Sequence, residues 1–346
     1  MSALGITLIV LGSLILLYIL ITSFLASIAI KKVFKREKWP KRTFLMHYTD
    51  LDFDFPRKEY KFKSGKNTLQ GYLYGENNKK GLVIYVCGLS IEHSSYISEV
   101  IALVNRGYKV FTYDFTGTGA SEGDKQISVH IQAVDASNCL TFIENNPDFK
   151  GENIFLYGHS MGAYGVAVNS NTHHHVKAIA SISGFYSPVK CLVDVTKTKS
   201  KVLAFLLHPN FFFFQLCHYG KVGIRNAIKD LKETNIPTFI VHGTNDEMVN
   251  FKTTSIISKK DKINNPKVTY KVMDDPLHSS HTSVIASTEA VKYQIENKNK
   301  LKELMKTHSK DDSMDIILKD FVKKRFNQAN QNLMEEIDNF FQSNVD

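Results

Sequence analysis

The sequence predicts an α/β protein, a mostly parallel central sheet with helices on both faces, preceded by one transmembrane helix. Three observations predict it. Apolar runs that suit buried strands alternate with segments of helical periodicity over residues 81 to 305. No charged residue stands between Ala3 and Ile30. At 346 residues, with 43% hydrophobic and 22% charged side chains, the chain can bury a large core in one big domain or two.

At 1.5 Å per residue, the uncharged stretch makes a helix about 40 Å long, enough to cross a hydrocarbon core of about 30 Å with tilt. A cleavable signal peptide is the competing reading, and it calls for a basic start, a shorter apolar run and a small-residue cleavage site. This run begins without Lys or Arg and ends directly in lysines. A retained anchor over 1–30 is therefore expected. Seven basic residues and a single acid, Glu37, lie between Lys31 and Arg42, a net +6 of the chain's formal +9. Basicity confined to one flank argues against nucleic acid as a partner. By the positive-inside bias it places the N-terminus outside and the large C-terminal domain in the cytoplasm, with residues 31–58 as a basic juxtamembrane linker. Cys87, Cys139, Cys191 and Cys217 are widely spaced, with no CxxC pair, and read as reduced thiols.

The elements follow in order. "KEYKFKSGKNTLQGYLYG" alternates around a Ser-Gly-Lys-Asn turn, as a hairpin does. "GLVIYVCG", "YKVFTYD", "NIFLYG", "VKAIASISG", "IPTFIVHG" and "VTYKVMDD" read as strands. Between them "YISEVIALVNRG", "SVHIQAVDASNCLTFIENN" and a segment from Met161 read as helices. The interval 185–235 has no clean strand and carries Phe211 to Phe214 in a row, which cannot all face one side of a helix. It reads as an inserted cap whose underside meets an apolar ligand or the bilayer surface. "STEAVKYQIENKNKLKELM" is helical, and 307–346 is expected as a C-terminal amphipathic helix packed on a domain spanning 59–306.

Gly158-His159-Ser160-Met161-Gly162 joins a strand to a helix. Gly-x-Ser-x-Gly in that setting is a nucleophile elbow: the serine backbone is strained, and small neighbours two residues away let the chains pass. A neutral serine needs a base oriented by a carboxylate, in the order Ser, acid, His. Asp246 follows a buried strand in "IPTFIVHGTNDEMV"; its plain alternative is a turn or cap residue, and Glu247 is the less favoured acid. Two histidines compete after the next strand, His278 nearest its end and His281 just before the following helix, with His281 favoured. Oxyanion donors are the Met161 amide at the helix start and the Leu89 amide after Gly88. The run His173 to His175 has no accompanying ligands and reads as a solvated loop, so no metal is expected. "YDFTGTGASEG" misses the GxGxxG spacing and reads as a structural turn.

With those residues in order, the chain resembles an α/β-hydrolase of the serine esterase and lipase type. "GHSMG" is similar to the family's elbow, "HGTNDEMV" to its acid loop and "DFTGTGASEG" to its Asp-x-x-Gly-x-Gly-x-Ser segment, over roughly Tyr60 to Tyr293. The resemblance implies a triad of Ser160, Asp246 and a histidine, hydrolysis through an acyl-enzyme, and no cofactor. Cys87-Gly88 stands where many relatives have His-Gly. An anchor beside an apolar cap points to a small-molecule ester substrate carrying an acyl chain. A peptidase of the same fold, or a non-catalytic tethered binding module, are the other readings.

Overall fold

The computed structural model describes residues 2–345 apart from 125–127, 173–174 and 198–199. Its first element, α1 (Ala3–Val33), opens on Ser2, whose hydroxyl accepts the Gly5 amide at 3.2 Å and caps the helix. Among the described residues this is the one helix long and apolar enough to cross a membrane, and most of its large side chains from Leu4 to Ile28 are exposed. The basic flank has structural work as well. Arg36 donates to the carbonyls of Ser121, Gly123 and Gly119 at 3.0, 2.7 and 2.7 Å, and Arg42 pairs with Asp315 at 2.6 Å. These bonds fasten the end of α1 to the body.

β1 (Arg57–Ser64) and β2 (Asn67–Tyr74) form the expected hairpin, with Ser64 opposite Asn67 and the turn left to Gly65 and Lys66. Gly65 takes φ +56°, a value glycine reaches without a Cβ penalty. There follow β3 (Leu82–Val86), α2 (Ile97–Val104), β4 (Lys109–Tyr113), α3 (Ile131–Asn145), β5 (Ile154–His159), α4 (Met161–Val168) and β6 (Val176–Ile182). Next come α5 (Pro188–Lys197), α6 (Lys201–Gly223) and α7 (Ala227–Glu233), then β7 (Thr238–Gly243), α8 (Lys260–Ile263), β8 (Val268–Met273) and α9 (Thr288–Leu304). The eight strands lie in the order β1-β2-β4-β3-β5-β6-β7-β8, with the β1–β2 and β2–β4 pairs antiparallel and all pairs from β4 to β8 parallel. The expected fold class is the one found.

The continuous apolar run of β3 is explained by its position inside the sheet. Leu82, Ile84 and Val86 enter one core with Leu140 and Ile143 of α3, while Val83, Tyr85 and Cys87 enter the opposite core with Ile97, Val100 and Leu103 of α2. Each large apolar side chain so buried contributes roughly 1.5–3 kcal/mol.

The C-terminal segment departs from the single helix expected. It is three helices, α10 (Lys310–Leu318), α11 (Lys323–Phe326) and α12 (Gln331–Gln342). Asn330 accounts for the last break, because its side chain accepts the Leu333 amide at 3.2 Å and starts a new helix. α12 then buries Leu333, Met334, Ile337 and Phe341 in the second core, with Phe341 stacked on Phe155 at 4.7 Å. The tail is therefore a covering layer of the sheet.

In the 185–235 interval, α5 and α6 pack on one another, and α6 also lies along α1. Tyr18 donates its hydroxyl to the Leu206 carbonyl, and Ser23 donates to the Asn210 side chain at 3.1 Å. The four phenylalanines divide as a helix requires: Phe211 is buried, whereas Phe212 and Phe213 are exposed.

Candidate active site

Ser160 stands between β5 and α4 with φ +56° and ψ −116°, a backbone strained for any residue but glycine. The neighbouring glycines make that turn possible. A Cβ on Gly162 would lie 1.9 Å from the Val86 carbonyl oxygen, and one on Gly158 would lie 2.4 Å from the Gly162 oxygen. Close passage of β3, β5 and α4 thus leaves no room for a side chain at either position. The Ser160 amide donates to the Ile182 carbonyl at 2.8 Å, tying the elbow to β6.

Asp246 and His281 reach Ser160 from the loops after β7 and β8. His281 Nδ1 lies 2.7 Å from Asp246 Oδ2, and its Nε2 lies 2.8 Å from the Ser160 hydroxyl. An ionised carboxylate only accepts, so Nδ1 carries the proton and donates to Asp246, and Nε2 accepts from Ser160. The Ser160 side chain caps nothing in α4. Asp246 Oδ1 accepts the amides of Met248 and Val249 at 2.9 and 2.7 Å, and His242 Nε2 lies 3.1 Å from Oδ2. Burial alone would raise the Asp246 carboxyl; the bonds from His242 and His281 outweigh it and hold the group well below the usual carboxylate range.

His278 is turned elsewhere. Its Nδ1 lies 3.0 Å from the Ser283 carbonyl and its Nε2 2.9 Å from the Thr288 hydroxyl, so it contacts the start of α9. Glu247 accepts the His281 amide at 3.1 Å through Oε2. The Met161 amide begins α4, where no intrahelical acceptor exists and the helix dipole is positive. The Leu89 loop runs directly against the elbow, since a Cβ on Gly88 would meet Ser160 Cβ at 3.0 Å.

Sequence reasoning missed three groups here. His159 is buried, donates Nε2–H to the His281 carbonyl at 3.0 Å and has Nδ1 3.2 Å from the Tyr96 hydroxyl. Burial, with His281 nearby, lowers its imidazole to about 3 and keeps it neutral. Tyr96 supports His159, and His242 supports Asp246. His159 occupies the variable position of the elbow, and nothing local marks it. Among the described residues no group of three or more His, Cys, Asp or Glu is placed to hold a metal. His173 and His174 of the histidine run lie outside the described residues; the exposed His175 ring sits 3.2 Å from Glu144. The "DFTGTGAS" turn has a structural anchor in Asp114, which accepts the His93 amide at 2.8 Å and the Ala120 amide at 2.9 Å.

Two cavities meet at the elbow, and Leu89 and Val33 line both. One, about 280 Å³, is apolar. Ser160 and Met161 form its floor, and Leu25, Ile28 and Phe34 of the N-terminal segment face Leu203, Leu207 and Phe211 of α6 across it. The other, about 540 Å³, has a mixed apolar and polar lining that includes His159.

A serine raised on such an elbow at the carboxyl edge of this strand order is the architecture of the α/β-hydrolases, and the chain has that fold. Comparison with known proteins agrees. A family model described as serine aminopeptidase, S33, matches residues 77–211. The human alpha/beta hydrolase domain-containing protein 17B is 24% identical over 178 residues, which are 50% of this chain and 53% of that protein, so the match spans about half of the relative's length. The Pyrococcus furiosus esterase Pf2001 superposes with a TM-score of 0.55 at 20% identity, covering 77% of this chain and 98% of the esterase; a second crystal form of it gives 0.54 at 19%, covering 77% and 95%.

Proposed function

We propose that the protein is a membrane-anchored serine hydrolase that cleaves carboxylic esters with an acyl chain through an acyl-enzyme on Ser160. The observation that carries this reading is the bonded series Ser160, His281, Asp246 opening onto the apolar cavity between the N-terminal helix and α6. Ser160 Oγ attacks the ester carbonyl while His281 Nε2 takes its proton, and Asp246 stabilises the imidazolium that forms. The amides of Leu89 and Met161 receive the developing oxyanion. His281 then hands its proton to the leaving oxygen, and water, deprotonated by His281 in turn, releases the acid and restores Ser160. The acyl chain occupies the apolar cavity. Leu25, Ile28 and Leu203 line that cavity and are also exposed on the outer surface, which suits entry from a bilayer around α1.

The family model's match ends before Asp246 and His281, so it does not separate esterase from peptidase chemistry. Labelling the full-length protein with a fluorophosphonate, wild type against Ser160→Ala, tests the nucleophile, and a panel of acyl esters and aminoacyl amides tests the bond. Labelling lost in Ser160→Ala with ester cleavage is expected. Cleavage of amides alone replaces the esterase reading with a peptidase, and neither labelling nor cleavage removes the enzyme reading. The catalytic domain is expected in the cytoplasm; its protection from protease added to sealed right-side-out cells checks this, and digestion there reverses the orientation.

A further inference from the structure

The 540 Å³ cavity shares Leu89 and Val33 with the acyl cavity, and His159 and Thr282, the chain neighbours of Ser160 and His281, line it. An ester held with its acyl chain against α1 has its alcohol portion on this side. The chemistry of the wall then selects the alcohol.

That wall is mixed: Leu45, Ile91, Ile285 and Phe326 give it an apolar part, and its charged groups are Lys35, Glu37 and Glu99. Ser95, Ser98, Gln294, Asn327 and Gln328 contribute hydroxyls and amides. Its cation, Lys35, is paired with Glu37 at 2.8 Å, and both are exposed. Among the described lining residues no other Lys or Arg is present, so a phosphorylated head group would enter without a counter-charge. Deeper in, Glu99 of α2 is 6% exposed and lines the cavity. Among the described residues no donor outside its own backbone pairs with its carboxyl. The Ser95 hydroxyl is likewise buried and without a partner. Buried polar groups are rarely left this way, since each costs about 1–3 kcal/mol, and where they cluster at a site a ligand that bonds to them recovers that energy.

Resting on the esterase reading above, we propose that this cavity is the leaving-group subsite and that it takes an uncharged polyhydroxylated alcohol, with Glu99 and Ser95 bonding its free hydroxyls. Burial pushes the Glu99 carboxyl up to about 8, which keeps it protonated near neutrality. A neutral carboxyl offers one donor and one acceptor, the complement of a diol. In the reaction the acyl–oxygen bond breaks, the acyl group passes to Ser160 Oγ, and the polyol oxygen leaves with the proton from His281.

The test compares kcat/KM of the full-length protein on monooleoylglycerol, methyl oleate and oleoyl lysophosphatidylcholine, presented in the same neutral detergent micelles. Wild type is expected to favour monooleoylglycerol over each of the others by about tenfold or more. Glu99→Leu should cut the ratio of monooleoylglycerol to methyl oleate about tenfold, and Glu99→Gln, which keeps a donor and an acceptor, should restore most of it. Where Glu99→Leu does not fold, as judged by loss of fluorophosphonate labelling, Ser95→Ala carries the test, with a severalfold fall in the same ratio expected. A wild type that labels and cleaves methyl oleate but shows no preference for the diol, or prefers the phosphocholine ester, overturns the subsite while leaving the esterase reading intact. So does a variant that slows all three esters equally. A wild type that neither labels nor cleaves any ester removes the esterase reading itself.

Discussion

His159 holds His281 by its main chain: the imidazole Nε2–H donates to the His281 carbonyl at 3.0 Å, across 122 positions of sequence. The residue before the elbow serine therefore sets the height of the ring that bonds to that serine. His159 touches no reacting atom in the proposed mechanism and acts as a positioning residue. His159→Phe removes the donor and should lower kcat by about 10- to 100-fold with KM changed less than about twofold, as expected when only transition-state geometry suffers. His159→Gln, whose amide can still donate, should recover part of the loss. Equal kcat in wild type and His159→Phe would show that the carbonyl bond has no bearing on the base.

The two histidines after β8 give a separate test. His281 lies 2.8 Å from the Ser160 hydroxyl, whereas His278 bonds Ser283 and Thr288. His281→Ala should reduce kcat by about 10³-fold or more, and His278→Ala by less than about fivefold. Steady-state kinetics on one soluble ester suffices; the reverse ranking would sink the assignment.

Gly162 is a test of the elbow itself. With the Val86 carbonyl oxygen 1.9 Å from any Cβ, Gly162→Ala has to push α4 away from β3. The variant should lose about 3 kcal/mol or more of stability and with it the labelling of Ser160, whereas Gly65→Asn, at an open turn with φ +56°, should stay within about 1 kcal/mol of wild type. Thermal unfolding of both proteins in the same detergent decides it.

What the sequence discloses and what it hides divides along the range of the interactions. The strands β3 to β7 are legible because both faces of each are buried, which leaves long apolar runs, whereas the edge strand β8 is half-exposed. The elbow is legible because strain at Ser160 demands glycine at 158 and 162 within four residues. Asp246 and His281 come to Ser160 because the strand order sets their loops at the same sheet edge. His159, Tyr96 and His242 carry no such mark, since His159 and Tyr96 bond to one another and to the His281 main chain across the fold, and His242 meets Asp246 only through the turn after β7. The tail was hidden for a related reason. The apolar spacing of Ile317, Phe321, Leu333 and Ile337 is compatible with one helix, and only the side-chain cap at Asn330 separates α12 from what precedes it. Arg36 reads as part of a charge cluster, and its bonds to the 119–123 turn depend on where α1 ends.

The outer face of α6 is strongly apolar beside α1. Phe205 is 80% exposed and Phe213 59% exposed, an arrangement that suits contact with acyl chains around an inserted α1. Phe205→Glu with Phe213→Glu should reduce hydrolysis of an ester embedded in vesicles by about tenfold or more, and leave hydrolysis of a water-soluble short-chain ester within about twofold. Equal loss on both substrates would mean that the two phenylalanines support the cap and do not meet lipid.

Glu99 also imposes a pH dependence on stability whose sign can be worked out. Its folded-state carboxyl is raised by burial to about 8, above the usual 4.5. Below about pH 4.5 both folded and unfolded chains hold this proton, and Glu99 adds no slope. Between 4.5 and 8 the unfolded chain releases the proton while the folded chain keeps it, so the folded state loses stability as pH rises, by up to about 1.4 kcal/mol per pH unit. Above 8 both states are ionised and the slope ends. His159 acts in the other direction. Its folded value of about 3 lies below the usual 6.5, so its contribution is complete above 6.5 and is lost as pH falls toward 3. Between about 4.5 and 6.5 the two slopes oppose and largely cancel, so wild type should be most stable across that mildly acidic interval, with a thermal midpoint that declines from about pH 6.5 to 8. Glu99→Gln cannot ionise, so its midpoint should rise up to about pH 6.5 and stay level from there to 8, which moves its maximum to higher pH. Thermal unfolding followed at several pH values in one neutral detergent measures both curves. Parallel curves for the two proteins would mean that Glu99 ionises as freely in the folded chain as in the unfolded one.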